Sequence, residues 1–192
     1  MAANRQWQEL IAKFKDEDID GWPEDIKGDA FHLRGGAYYS LKDGENAEAD
    51  LRKACEYLYE DNSIGLALNA LGDTYRLLLK DDAQAIDAYR RVYKTTALYK
   101  QCQAAISIAG IFRRQGKLDE ALQELNKIGM NKVQAGYWRA AMLAAYADVL
   151  AKQGKKAEAI AKYSEALQLQ GIHPAQKAAH EKELKELRGD VE

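Results

Sequence analysis

The chain of 192 residues is poor in residues that stop helices, form cross-links or bind metals. Its two prolines, Pro23 and Pro174, are separated by 150 residues that contain none. Proline inside a helix removes a hydrogen bond and clashes with the preceding turn, so a proline-free stretch rich in Ala, Leu, Lys, Glu and Gln permits long helices. The two cysteines, Cys55 and Cys102, cannot make a disulfide framework. Each falls in a helical pattern among Ala, Leu and Ile, so each reads as a small buried hydrophobe, reduced and unlinked. The three histidines, His32, His173 and His180, have no second ligand at metal spacing, and Cys-x-x-Cys does not occur. No metal or cofactor is therefore expected, and no catalytic set is found. A nucleotide-binding glycine loop is absent, and Gly35-Gly36 falls inside a helix, where close packing explains it. No apolar run approaches the ~20 residues of a membrane span. Residues Met1 to Asn4 hold no apolar signal core, which makes the cytoplasm the expected compartment.

Charge of one sign is lacking too. The net charge of −2 comes from 28 basic and 30 acidic residues, a balance that argues against a nucleic-acid binder, an RNA-binding helical-repeat protein included. With 47% hydrophobic and 30% charged residues, the composition is that of a folded globular chain rather than a disordered one.

What is present is a repeat. Gly35, Tyr38, Ala47, Leu51 and Ala54 form a small–large–Ala–large–small series. Gly72, Tyr75, Ala85, Tyr89 and Val92 form a second, and Ala109, Phe112, Ala121, Leu125 and Ile128 a third. Ala147, Leu150, Ala159, Tyr163 and Ala166 form the fourth. The first large residues, Tyr38, Tyr75, Phe112 and Leu150, lie 37, 37 and 38 positions apart. Self-similarity at a fixed period marks a repeat architecture. The small residues let a paired helix approach closely, with Ala47, Ala85, Ala121 and Ala159 as their counterparts. The second series carries one extra residue near Lys80.

Around these series the elements follow. Trp7, Leu10, Ile11 and Phe14 recur on one face of a helix over 4–15. Asp16 to Asp20 is an acidic break. Pro23 fits the first position of a helix that runs to Leu41, with Glu24 and Asp25 in its first turn. Asp43-Gly44 and Lys80-Asp81-Asp82 are turns. Asp61-Asn62-Ser63 can cap a helix over 64–79, and Thr95 or Thr96 one that ends at Gln115. Gly116, Gly129 and Gly154 end helices, and Asn131 caps the seventh helix of the array. Pro174 opens a last helix to Leu187 that carries Glu181 and Lys185 at i,i+4. The closing Arg188-Gly189-Asp190 reads as a frayed tail.

Leu71-Gly72-Asp73-Thr74-Tyr75, Gly116-Lys117-Leu118-Asp119-Glu120-Ala121, Gly154-Lys155-Lys156-Ala157-Glu158-Ala159 and Tyr163-Ser164-Glu165-Ala166-Leu167 resemble the tetratricopeptide repeat family. The resemblance covers about residues 28 to 170. It departs from the family in its longer period and in lacking the proline that closes each repeat. It implies an all-α, right-handed α-solenoid of four helix pairs with an N-terminal helix and a C-terminal capping helix. The divisions expected are 1–22 for the N-terminal helix and acidic connector and 23–170 for the repeats. The repeats run over about 28–62, 63–98, 99–130 and 131–170, and 171–192 form the capping helix and tail.

In that family ligands lie along the concave surface made by the first helix of each pair. Carried over slot by slot, this gives His32, Gly36, Tyr39, Asn69, Asp73, Arg76, Gln103, Ser107, Arg113, Arg114, Asp148 and Lys152. The basic clamp by which one subgroup holds chaperone tails is absent, because its slots hold His32, Gly36, Ala70, Gln103 and Ser107. The resemblance implies a non-catalytic module that binds a peptide or protein partner. A structural or regulatory domain of a larger enzyme or secretion assembly, acting by docking or self-association, is the alternative. An acidic partner would meet Arg76, Arg113, Arg114 and Lys152, which recur at the repeat period. Neutralisation of these cations by Asp73 and Asp148 is the plainer reading. No nucleic acid and no membrane span are expected, and the chain is expected to be a monomer or a weak homo-oligomer. Phe112 is expected to be buried between helices.

Overall fold

The structure, a computed structural model, describes residues 2–15, 19–134 and 136–189. The acidic run Asp16 to Asp18 and the terminal Asp190 lie outside the described residues. Among the described residues every regular element is helical. The chain divides into two compact units, Met1–Gln101 and Cys102–Glu192, and the division falls inside helix α6.

The first unit holds α1 (Ala2–Lys15), a 3₁₀ turn (Ile19–Gly21), α2 (Glu24–Ser40), α3 (Gly44–Tyr57), α4 (Asp61–Asp73), α5 (Asp82–Val92) and the start of α6 (Leu98–Arg114). The second holds the rest of α6, α7 (Leu118–Asn126), a 3₁₀ turn (Met130–Lys132), α8 (Gly136–Lys152), α9 (Lys156–Leu167) and α10 (Pro174–Arg188). Helices α2 and α3, α4 and α5, and α8 and α9 pack as pairs, and α10 lies against α9. Gly35, Gly72, Ala109 and Ala147 are buried, as are Ala47, Ala85, Ala121 and Ala159.

Four equivalent turns join first to second helices. The backbone N–H groups of Asp43, Lys117 and Lys155 donate to the carbonyls of Tyr38, Phe112 and Leu150, five residues back. This bond and a left-handed residue just before it close a helix end. In the second series the same bond, from Asp81 to Tyr75, spans six residues. The extra residue near Lys80 is taken up by a π-helical turn, Thr74–Leu79, that continues α4. A π turn holds one more residue than an α turn, so the insertion stays within the helix. After each turn the next helix starts alike, with Ala47, Ala85, Ala121 and Ala159 donating to Asp43, Asp81, Lys117 and Lys155.

Several local expectations are corrected. Pro23 sits one place earlier than expected, at the N-cap of α2. Asp61 is the first residue of its own helix rather than its cap, and its carboxylate accepts from the backbone N–H and the hydroxyl of Thr96 at 2.8 and 2.5 Å. Thr96 is thereby spent on Asp61, while the Thr95 hydroxyl donates to the Val92 carbonyl. Gly129 and Asn131 neither end α7 nor cap α8. Helix α7 stops at Asn126, and Gly129 and Asn131 form and flank the 3₁₀ turn that precedes α8. The i,i+4 ion pair on α10 joins Lys182 to Glu186 at 3.6 Å, not Glu181 to Lys185. The Phe112 ring is half-buried rather than buried, with the Lys117 ammonium 6.0 Å from its centroid. Cys55 and Cys102 are free thiols, which burial pushes up to about 11.

Core clusters form within each unit. Phe31 packs with Ile19, Ala30, Ala54 and Ala67, and stacks on Tyr57 at 5.9 Å. The bidentate pair from Arg34 to the buried Asp50, at 2.6 and 2.7 Å, ties α2 to α3 and was not foreseen from sequence. In the second unit Ala147, Leu150, Ala159, Tyr163 and Leu184 make one cluster, and Ala140, Leu143 and Ala166 another.

The four turns place Lys42 (φ 66), Lys80 (φ 60), Gly116 (φ 74) and Gly154 (φ 78) in the left-handed region. That region costs an L-residue about 1–2 kcal/mol, partly offset by the chain entropy a glycine loses on folding. Lys42→Gly and Lys80→Gly should each raise the unfolding free energy by up to about 1 kcal/mol, while Gly116→Ala should lower it by about 1 kcal/mol. Urea denaturation checks all three.

Candidate functional site

The first helix of each pair carries the candidate residues, and the turns above set which of its faces is covered by the second helix. In the first unit, Asp73 follows Gly72 on α4 and faces α5. Its carboxylate accepts from the Tyr89 hydroxyl at 2.6 Å and from Arg76 Nη2 at 2.9 Å, and Arg76 Nε donates to the Tyr89 oxygen at 3.3 Å. Tyr39, on α2, is half-buried, with the Lys42 ammonium 5.5 Å from its ring. Burial raises its phenol pKa, with Asp73 adding to the shift and Arg76 opposing it. His32 is half-buried, and burial lowers its pKa, against Asp29 and with Lys100. Asn69 is only 1% exposed. Its side-chain amide donates to the Lys100 carbonyl at 3.0 Å, so it ties α4 to the start of α6 and is no surface contact residue. The Tyr75 hydroxyl donates to Glu48 at 2.7 Å, and burial together with that carboxylate pushes the phenol up to about 12.

The second unit repeats the arrangement with other partners. Asp148 follows Ala147 on α8 and accepts a short hydrogen bond from the Tyr163 hydroxyl of α9. Arg113, from α6, approaches Asp148 at 3.8 Å, the two side chains being 41% and 36% exposed. Arg113, Asp148, Lys152, Tyr163, Glu183 and Leu187 line a cleft of about 260 Å³. Beside it Ile106, Ala109, Gly110, Ala145 and Val149, with Arg113 and Asp148, line a smaller pocket of about 100 Å³. Gln103 and Ser107 are half-buried, and Arg114 and Lys152 are exposed. His180 of α10 is buried with its ring 5.7 Å from that of Tyr163, and burial lowers its pKa.

The structure thus brings Asp73 together with Arg76, and Arg113 with Asp148 and Lys152. It does not join His32, Asn69, Gln103 or Ser107 to either set. Arg76 belongs to the first unit, and Arg113, Arg114 and Lys152 to the second. Asp73 pairs with Arg76 and Asp148 with Arg113. Among the described residues no three His, Cys, Asp or Glu side chains converge on a metal site.

Sequence reasoning missed the roles of Tyr89 and Tyr163 as partners of these aspartates. The signal was there. The residue after the small slot runs Gly36, Asp73, Gly110, Asp148, and the large residue of the second helix runs Leu51, Tyr89, Leu125, Tyr163. Aspartate occurs where tyrosine does, and glycine where leucine does. A buried hydroxyl needs an acceptor, and a leucine does not.

Losing one of these hydroxyls leaves its carboxylate short of a donor. Tyr89→Phe and Tyr163→Phe should each cost about 1–2 kcal/mol. Burial, reinforced by Asp73 and by Asp148, raises both phenol pKa values above their ordinary ~10. A group whose folded pKa is raised contributes stability that is complete below its unfolded value and lost as pH climbs. Thermal midpoints should therefore hold to pH 9 and fall above about pH 10. The Tyr89→Phe, Tyr163→Phe double variant should lose less over that alkaline range, which midpoints recorded at stepped pH will check.

Two family models match this chain. One, described as "Tetratrico peptide repeat", matches residues 74–180. The other, described as "Tetratricopeptide repeat", matches residues 28–57, most of the α2–α3 pair. No curated protein matches the chain. The first match alone spans more than half of the 192 residues. With its helix pairs, close-approach slots and equivalent turns, the chain belongs to the tetratricopeptide repeat family.

Proposed function

We propose that the chain is a non-catalytic interaction module that binds an extended segment of a protein partner on the exposed faces of its first helices. Repeats of this family generally mediate protein–protein interaction. The observation that carries the reading is a division of labour between the helices. The second-helix slots Leu51, Tyr89, Leu125 and Tyr163 are all buried and serve packing. The first-helix slot four positions after the small residue holds Tyr39, Arg76, Arg113 and Ala151, all partly exposed and of differing chemistry. Packing calls for a buried bulky residue in every repeat, and recognition of an extended partner is served by differing side chains along an accessible face.

The cations favour a partner segment with carboxylates, because guanidinium groups bind carboxylates in bidentate fashion. Arg113 is the better placed of the two first-helix arginines that recur at one slot. Its ion pair with Asp148 is long and half-exposed, and such pairs contribute little to stability. Arg76 is held by two partners on its own pair of helices.

Capture of partners by the immobilised chain, identified by mass spectrometry and then titrated with purified protein, tests the reading. Affinity for the partner should fall as salt rises. The Arg113→Ala, Arg114→Ala variant should bind about tenfold more weakly, with an unchanged thermal midpoint. Equal affinity of variant and wild type, or hydrogen-exchange protection confined to second helices, would retire it.

A further inference from the structure

Glycines inside a helix need a reason, because glycine is the poorest helix former after proline. Most helical glycines here have one. A Cβ at Gly28, Gly35, Gly44, Gly65, Gly72 or Gly136 would come within 3.0 Å of a neighbouring atom. Gly36, where close packing was expected alongside Gly35, has none of this kind, and neither has Gly110. Both lie inside helices, neither has a positive φ, and a Cβ on either would meet nothing within 4 Å. They occupy the same slot in alternate repeats, the slot that holds Asp73 and Asp148 in the others. Among the described residues no contact requires glycine at either position.

At Gly110 that space is shaped. It opens on the mostly apolar pocket of about 100 Å³, walled by Ile106, Ala145 and Val149, with Arg113 and Asp148 at its polar side. At about 100 Å³ and mostly apolar, the pocket has room for a small aliphatic side chain. The polar side is poised for exchange. If Arg113 turns to an incoming carboxylate, Asp148 keeps the hydrogen bond from Tyr163, so no acid is left unpartnered. In the adjoining cleft Lys152 is balanced by Glu183, so Arg113 is the cation that the pocket itself presents.

We infer that Gly110 and its pocket seat an aliphatic side chain of the bound segment, and that an acidic residue next to it on the segment engages Arg113. The inference rests on the peptide-binding reading above and specifies its chemistry. The helix gives up stability at Gly110 so that the partner's side chain can lie against its backbone. Filling the position should therefore strengthen the fold and weaken binding at once. A purely structural glycine would show the opposite sign in stability.

The test uses the full chain, immobilised, and a displayed library of random decapeptides. Enriched peptides should pair Val, Leu or Ile with a neighbouring Asp or Glu. A synthetic peptide of the enriched sequence should bind Gly110→Leu at least tenfold more weakly than wild type, and Arg113→Met likewise. Gly110→Ala, the milder change, should raise the thermal midpoint by about 2–4 °C while also weakening the peptide. Enriched peptides that bind Gly110→Ala and Gly110→Leu as tightly as wild type would overturn the seat and leave peptide binding standing. Enriched peptides without the aliphatic–acidic pairing would do the same. A library that yields no binder at all would overturn both.

Discussion

The contact between a small residue on one helix and a bulky one on its partner is the constraint on which the rest of this structure depends. At Gly72 a Cβ would lie 2.4 Å from the Tyr89 ring, and at Gly35 it would lie 2.9 Å from Leu51 Cγ. Backbone and side chain are already in contact there, so the two helices can sit no farther apart without opening a void and no closer at all. That distance sets the length of the joining turn. It also explains why the four turns end in the same hydrogen bond and launch the same alanine into the second helix. Where the second series gained a residue, the chain changed the pitch of a helix for one turn instead of moving the contact.

With the pair spacing held by glycine and alanine, the neighbouring slot is free to vary. It does so in step with the second helix. Tyrosine brings a hydroxyl into the packed layer and requires an acceptor, which Asp73 and Asp148 provide. Leucine needs none, and there the slot is empty at Gly36 and Gly110. Each unit therefore contains a closed repeat, locked by a tyrosine–aspartate bond, and an open one with bare backbone.

The helices, their pairing and most boundaries were legible in the sequence, because periodic small residues and glycine stops act locally. Gly116 and Gly154 ended helices as read, and Pro174 opened α10. The misreadings concern residues that can cap in several ways: Asp61 and Thr96 bond each other across the sequence, and Gly129 and Asn131 enter a local 3₁₀ turn. Asp61 spends its carboxylate on Thr96, 35 residues away. The Arg34–Asp50 pair was invisible for a like reason, since neither residue lies in a repeating slot of its own type. Asn69 looked like a contact residue by slot and is instead an internal tie, because a carbonyl at the start of α6, that of Lys100, lies within reach. Slot analogy finds which face a residue lies on. Its partners depend on the side chains that happen to surround it.

The most direct test of the central contact is a double-mutant cycle at Gly72 and Tyr89, read by urea denaturation. Gly72→Ala alone forces a methyl group into the tyrosine ring, and Tyr89→Leu alone removes the ring and the hydroxyl that Asp73 accepts from. If close approach sets the pair spacing, Gly72→Ala should be far less harmful in the Tyr89→Leu background, with a coupling energy above about 1 kcal/mol. Additive effects, with coupling below about 0.3 kcal/mol, would show that the two positions do not constrain each other and would contradict the account.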